Sequence, residues 1–121
     1  MTVQTSSDRA AAYALEGYLV AAARTGDRAA MDRLARLVGP RLLAHAARLI
    51  GDPETARDVV QSAWVDILRG LPRLNAVAAF RSYALQIVTR RVARTIKGRQ
   101  HDRALAAELP ENGAMIDVER P

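Results

Sequence analysis

The sequence predicts an all-α fold, a compact bundle of about four helices, and three observations carry that expectation. Of the 121 residues 50% are hydrophobic but only 4% are aromatic, so the core is filled by Ala, Leu, Val and Ile on helices that approach closely. Apolar residues recur at three- and four-residue spacing, the period of an amphipathic helix. Glycines stand between those runs, at Gly26, Gly51, Gly70 and Gly98, where a helix can end in a left-handed cap. A chain of this length suits one domain with a modest core.

The first helix is expected over about Ala10 to Thr25, with Tyr13, Leu15, Tyr18, Leu19 and Ala22 as its buried stripe and Gly17 as a mild weakness. Asp27 follows Gly26 at once and can accept from the free amides of the next helix, so the first two helices are expected to pack as an antiparallel hairpin. Helix two, about Arg28 to Ile50, turns Met31, Leu34, Leu37, Val38, Leu42, Ala46, Leu49 and Ile50 toward the core. Gly39-Pro40 interrupts it. Proline removes a backbone donor and crowds the preceding turn, which predicts a kink there or two abutting helices.

Asp52-Pro53-Glu54 reads as a helix start: an accepting side chain at the cap, proline where no amide is needed, and an acid beside the positive helix end. The third helix then runs from Pro53 to about Arg69. Ala56, Val59, Val60, Ala63, Trp64, Ile67 and Leu68 form its apolar stripe, while Arg57, Asp58, Gln61, Ser62, Val65 and Arg69 lie on other faces. Gly70-Leu71-Pro72 breaks the helix, a loop follows, and Phe80 opens a fourth helix expected to last until Gly98. Residues 1–100 read as the domain. Residues 101–121, with Pro110-Glu111-Asn112-Gly113, read as a linker or disordered tail containing one or two helical turns between Asp102 and Leu109.

The net charge of +5 is unevenly spread. Arg81, Arg90, Arg91, Arg94, Lys97 and Arg99 cluster with no acid among them, whereas the tail carries Glu108, Glu111, Asp117 and Glu119. Such a cluster suits nucleic acid or an anionic membrane surface; a genome that favours Arg codons is its bland source. Cysteine is absent, which excludes disulfides and thiolate metal sites and fits the reducing cytoplasm, the expected location. The N-terminus has no basic region followed by an apolar run, and nothing approaches the roughly 18 uninterrupted apolar residues of a membrane span. His45 and His101 are the only histidines, the carboxylates are dispersed, and there is no glycine-rich phosphate loop. An enzyme is not expected, nor any catalytic residue, metal site or cofactor.

Within this framework, DPETARDVVQSAW in the third helix and FRSYALQIVTRRVARTIKGR in the fourth, with GDRAAMDRLARLVGPRLLAHAARLIGD upstream, resemble region two of extracytoplasmic-function (ECF) sigma factors over about Leu19 to Arg99. Asp58-Val59-Val60-Gln61 at fixed distance from Asp52-Pro53, followed by Phe80-Arg81 and Tyr83, makes the combination specific. The resemblance implies a transcription-initiation domain that docks on core RNA polymerase and recognises and melts the minus-ten promoter element.

By that resemblance the third helix docks on the clamp helices of the polymerase beta-prime subunit, through Asp58 and Gln61 with Ser62 and Val65. The next loop and the fourth helix would take the separated non-template strand, with Asn75, Arg81, Gln86, Arg90, Arg94 and Lys97 as the DNA-binding set. Holding an unstacked base costs a few kcal/mol that binding must offset, and the loop Leu74 to Ala78 is the implied place of capture. Asn75 alone there offers both donor and acceptor, although it could equally cap a turn. Tyr83 could stack on a base or pack in the core. Trp64 is expected in the core, Arg91 is expected to snorkel along the domain edge, and Asp58 could pair with Arg57 or Arg69 instead of a partner.

Two departures stand out. Family members often have Asn and Asp at the positions of Arg90 and Arg94, so those residues suit phosphate affinity better than base recognition. Region four, the helix-turn-helix that reads the minus-thirty-five element, has no counterpart, which leaves open a domain of a longer factor, a partial factor with a partner, or a sigma-like decoy. The alternative function is a sigma-like interaction module that binds an anti-sigma factor or polymerase without promoter DNA. A generic basic bundle binding nucleic acid nonspecifically is a third.

Overall fold

The structure, a computed structural model, describes the backbone of residues 2–119 and the side chains of residues 6–108. Four helices occur: α1 (Thr2–Arg24), α2 (Arg28–Ile50), α3 (Pro53–Gly70) and α4 (Phe80–Glu119), with two short 3-10 turns, Leu71–Arg73 and Val77–Ala79, between α3 and α4. The all-α expectation holds.

Three residues join α1 to α2, and their chemistry dictates the reversal. Gly26 takes φ +97°, a left-handed conformation that suits glycine, and the Asp27 carboxylate accepts from the Ala30 amide at 3.1 Å. Within α2, Ala30, Leu34, Val38, Leu42 and Ala46 form a buried row at every fourth residue. Pro40 lies inside this helix, so the split into two abutting helices does not occur. Pro40 has no amide to offer the Arg36 carbonyl, and both residues are exposed, so water can serve that carbonyl in its place.

The buried face of α1 differs from the expected stripe. Leu19 and Val20 are buried, but Tyr13, Leu15 and Tyr18 are exposed and Glu16 is turned inward. The helix is rotated so that Glu16 accepts from Arg81 Nε of α4 at 2.7 Å, while the Arg81 guanidinium lies 4.6 Å from the centre of the Tyr13 ring. Apolar spacing alone could not signal a rotation driven by a polar pair.

Helix α3 begins without the backbone cap expected of Asp52. Its carboxylate accepts instead from the Thr55 hydroxyl and lies 3.5 Å from Arg99, tying the start of α3 to α4. Ala56, Val59, Val60, Ala63 and Ile67 are buried, with Trp64 packed against that cluster. Leu68 and Leu49, expected inside, are 45% and 47% exposed.

At the end of α3, Gly70 is not a left-handed cap but a right-handed helical residue, φ −91°. Its role is steric: a Cβ there would collide with the Tyr83 hydroxyl, which donates to the Ile67 carbonyl at 2.8 Å. Beyond the loop, Phe80, Ala84, Ile87, Val88 and Val92 of α4 complete the core. Helix α4 continues through Gly98 rather than ending there. Gly98 is exposed and open to solvent, a setting where glycine costs a helix only about 1 kcal/mol, and the Arg99 contacts with Asp52 and Thr55 hold the next turn. The backbone of residues 101–119, expected as a linker or disordered tail with one or two helical turns, instead continues α4; Arg120 and Pro121 lie outside the described residues.

The close approach of Tyr83 to Gly70 has a direct test. Gly70→Ala should lower unfolding stability by about 1–3 kcal/mol, the usual cost of overpacking. In a Tyr83→Phe background, which lacks the colliding oxygen, the same substitution should cost much less; an equal cost in both backgrounds in denaturant titrations would contradict the contact.

Candidate nucleic-acid interface

The α3–loop–α4 unit carries two exposed faces of different chemistry. On α3, Asp58, Gln61 and Val65 are exposed and Ser62 is half-buried. No ion pair joins Asp58 to Arg57 or Arg69 among the described residues, so its carboxylate remains available. Val65 is 51% exposed, and Leu68, three residues on, continues the row. The face is a polar patch that becomes apolar toward its C-terminal end, a combination suited to an opposing helix. Leu68 was missed as a surface residue because three- and four-spacing fits it equally well to the core stripe.

The sequence-predicted basic ridge is divided by the structure. Gln86, Arg90, Arg94 and Lys97 are all exposed. Gln86 faces a shallow groove toward α2 that also contains His45, Ser82, Leu85 and Thr89. The Thr89 hydroxyl donates to the Leu85 carbonyl at 2.9 Å, so its single proton is used and His45 Nε2–H donates to it at 2.8 Å. That bond ties α2 to α4 beside Gln86. Arg90 lines both this groove and a second one on the α3 side, whereas Arg94 lines only the second. Lys97 lines neither.

The second groove lies between the end of α3 and the middle of α4, with a volume of about 460 Å³. Arg69 of α3, Arg73 of the first 3-10 turn, and Arg90 and Arg94 of α4 surround it, over a floor that includes Gly70, Tyr83 and Ile87. Its single lining carboxylate, Asp66, is held by Arg91 through two hydrogen bonds, Nε to Oδ2 at 2.7 Å and Nη2 to Oδ1 at 3.0 Å. Arg91 therefore pairs with Asp66 rather than snorkelling alone. The hydrogen bonds from Arg91 hold the Asp66 carboxyl below the usual carboxylate value, and the positive charges of Arg69 and Arg94 add to the effect. Arg69 and Arg73 were not singled out from the sequence as DNA-binding residues, because the helix break at Gly70-Leu71-Pro72 separates them from the α4 cluster.

The remaining sequence-predicted residues divide as follows. Arg81 is committed to Glu16 and Tyr13, away from the ridge. Asn75 is exposed at the tip of the loop, whose turns are closed by backbone bonds from Leu74 N to Leu71 O and from Ala79 N to Ala76 O, both 3.0 Å. Leu74, in the expected capture loop, is a core residue at 9% exposure. Tyr83 is half-buried, and burial raises its phenol above the ordinary value; with its hydroxyl on the Ile67 carbonyl it packs between α3 and α4. Among the described residues no three His, Cys, Asp or Glu side chains gather as for a metal ion, and no helix is long and apolar enough to cross a membrane.

Comparison with known proteins follows the same span. A family model described as Sigma-70 region 2 matches residues 34–102, from α2 through the α3–loop–α4 unit. No curated protein and no solved structure matches the chain.

The Asp66–Arg91 pair gives a pH expectation. Asp66 has a lower pKa folded than unfolded, so in acid the unfolded chain binds more protons; the pair's stabilisation is complete above the unfolded value of about 3.9 and fades as pH falls through the folded one. Asp66→Asn should flatten the loss of unfolding stability below about pH 4. An unchanged acid limb would remove Asp66 from the account.

Proposed function

Since the chain belongs to the sigma-70 region 2 family, a domain that binds RNA polymerase and recognises the minus-ten promoter element, we propose that its two exposed faces divide this work. Asp58, Gln61, Ser62 and Val65 of α3, extended by Leu68, dock on the beta-prime clamp helices. Asp58 and Gln61 supply hydrogen bonds one helical turn apart, and Val65 and Leu68 supply apolar area. Ser62 contributes at the edge, being half-buried.

Arg90 and Arg94, with Lys97 beyond them, bind phosphates of the non-template strand, and Gln86 and Asn75 are the candidates for base edges. The observation that carries this reading is the exposure of these cations on α4 with no carboxylate partner among the described residues. A pure decoy has no use for such charge. Arg81 serves by holding α1 against the first turn of α4.

The finer assignments belong to the same proposal: an ECF-type factor acting in the cytoplasm, with the promoter-binding domain in residues 1–100, residues 101–121 as linker, and an anti-sigma factor as a further partner. The matching motif in α3 supports the ECF reading.

Two sets of variants test the division of labour. Asp58→Ala with Gln61→Ala should lower capture of core polymerase at least tenfold, from about 1 kcal/mol per lost hydrogen bond. Arg90→Ala and Arg94→Ala should leave capture intact and weaken polymerase-dependent binding of a fluorescent minus-ten strand, most strongly at low salt. Strand binding indifferent to both arginines, or capture indifferent to Asp58 and Gln61, would overturn the corresponding face.

A further inference from the structure

The groove of about 460 Å³ between α3 and α4 is more than the inner edge of the α4 ridge. Three separate elements each bring guanidinium groups to it: Arg69 from α3, Arg73 from the following 3-10 turn, and Arg90 and Arg94 from α4. All four are exposed. None has an ion-pair partner among the described residues, although collecting four like charges around one concavity raises its potential and costs stability. The one lining carboxylate relieves them only in part, because Arg91 takes both of its oxygens in hydrogen bonds.

The lining favours one kind of use. A base edge that presents a donor needs an acceptor aimed at it, and here Ile87 and Gly70 offer no polar side chain, the Tyr83 hydroxyl is turned to the Ile67 carbonyl, and Arg91 holds Asp66. What dominates is guanidinium donors, in the forked geometry that suits phosphate oxygens. The groove, of about 460 Å³ and open to solvent, has room for a sugar-phosphate unit.

We propose that this groove seats the sugar-phosphate backbone of the separated promoter strand, with Arg69 and Arg73 as phosphate ligands from outside α4 and Arg91 as the positioning residue that keeps Asp66 from repelling the strand. The proposal rests on the promoter-binding reading above and adds to it a path. The strand crosses from α4 over the corner where α3 ends, instead of running only along the outer ridge of Gln86 and Lys97. Contacts of this kind give affinity and register and carry no sequence information.

The test uses the full chain with core polymerase and a fluorescent single-stranded minus-ten oligonucleotide, beside a scrambled one. Arg69→Ala and Arg73→Ala should each weaken binding severalfold, make the slope of log affinity against log salt shallower by about 0.7 per lost phosphate contact, and leave the ratio of matched to scrambled affinity unchanged. Neutral methylphosphonate linkages, placed one at a time along the strand, should weaken wild-type binding at one or two positions, and that penalty should vanish in the Arg69→Ala, Arg73→Ala double variant. Arg91→Ala should also weaken binding, and adding Asp66→Asn should restore it; simple damage to the fold would not be rescued this way, and thermal unfolding of each variant checks the fold independently. If the double variant binds with unchanged affinity and salt slope while Arg90→Ala and Arg94→Ala still weaken the complex, the groove is not on the strand's path and the promoter reading stands. If the wild-type chain with polymerase binds no minus-ten strand, the promoter reading fails and the groove proposal falls with it.

Discussion

The packing of α4 against the last turn of α3 governs where the functional side chains are presented. At that contact Tyr83 lies so close to the α3 backbone that a Cβ at position 70 would meet its hydroxyl, which donates to the Ile67 carbonyl at 2.8 Å. Further along α4, Arg91 clamps Asp66 with two hydrogen bonds, and near the start of α3 Arg99 reaches Asp52 and Thr55. These contacts, spaced along α4, fix its rotation about its own axis. With that rotation fixed, Phe80, Ala84, Val88 and Val92 fall inside and Arg90 and Arg94 fall outside. Turning α4 by one residue, about 100°, would bury a cation or expose the core.

Much of this was legible in the sequence because the relevant signals are local. The Gly26-Asp27 turn, the Asp52-Pro53 start and the Phe80 opening each depend on residues within a turn of one another, and all mark helix boundaries in the structure. The alternation of core and surface on α3 and the first half of α4 was readable for a related reason: their apolar residues are aliphatic and their polar residues charged, so the period is clear. On α1 it was not. Tyr13, Leu15 and Tyr18 look like a core stripe, yet Glu16 is the buried residue because its partner, Arg81, lies 65 positions away. Gly70 misled in the same way, since what crowds a Cβ there is a tyrosine 13 residues later. A local reading sees a helix stop; the fold uses a close approach.

The candidate site divides along the same line. The sequence separates the charges that bind from those that brace only by their spacing, and by that measure Arg81, Arg90, Arg91, Arg94, Lys97 and Arg99 form one cluster. Tertiary contacts assign Arg81 to Glu16, Arg91 to Asp66 and Arg99 to Asp52, leaving Arg90, Arg94 and Lys97 exposed and bringing Arg69 and Arg73 beside the first two. The bracing arginines thus share a helix with exposed ones that are unpaired among the described residues, and the acids that mark them come from α1, from α3 and from the residue just before α3.

The central claim is that a cationic face on α4 becomes a promoter reader only when α3 is docked on polymerase, and it is tested most directly by measuring affinity for a minus-ten single strand, matched and scrambled, with and without core polymerase at fixed ionic strength. The account expects weak binding with little discrimination from the chain alone, and tight binding that favours the matched strand once polymerase is present. Equal affinity for both strands in the presence of polymerase, or matched-strand binding as tight without polymerase as with it, would contradict it.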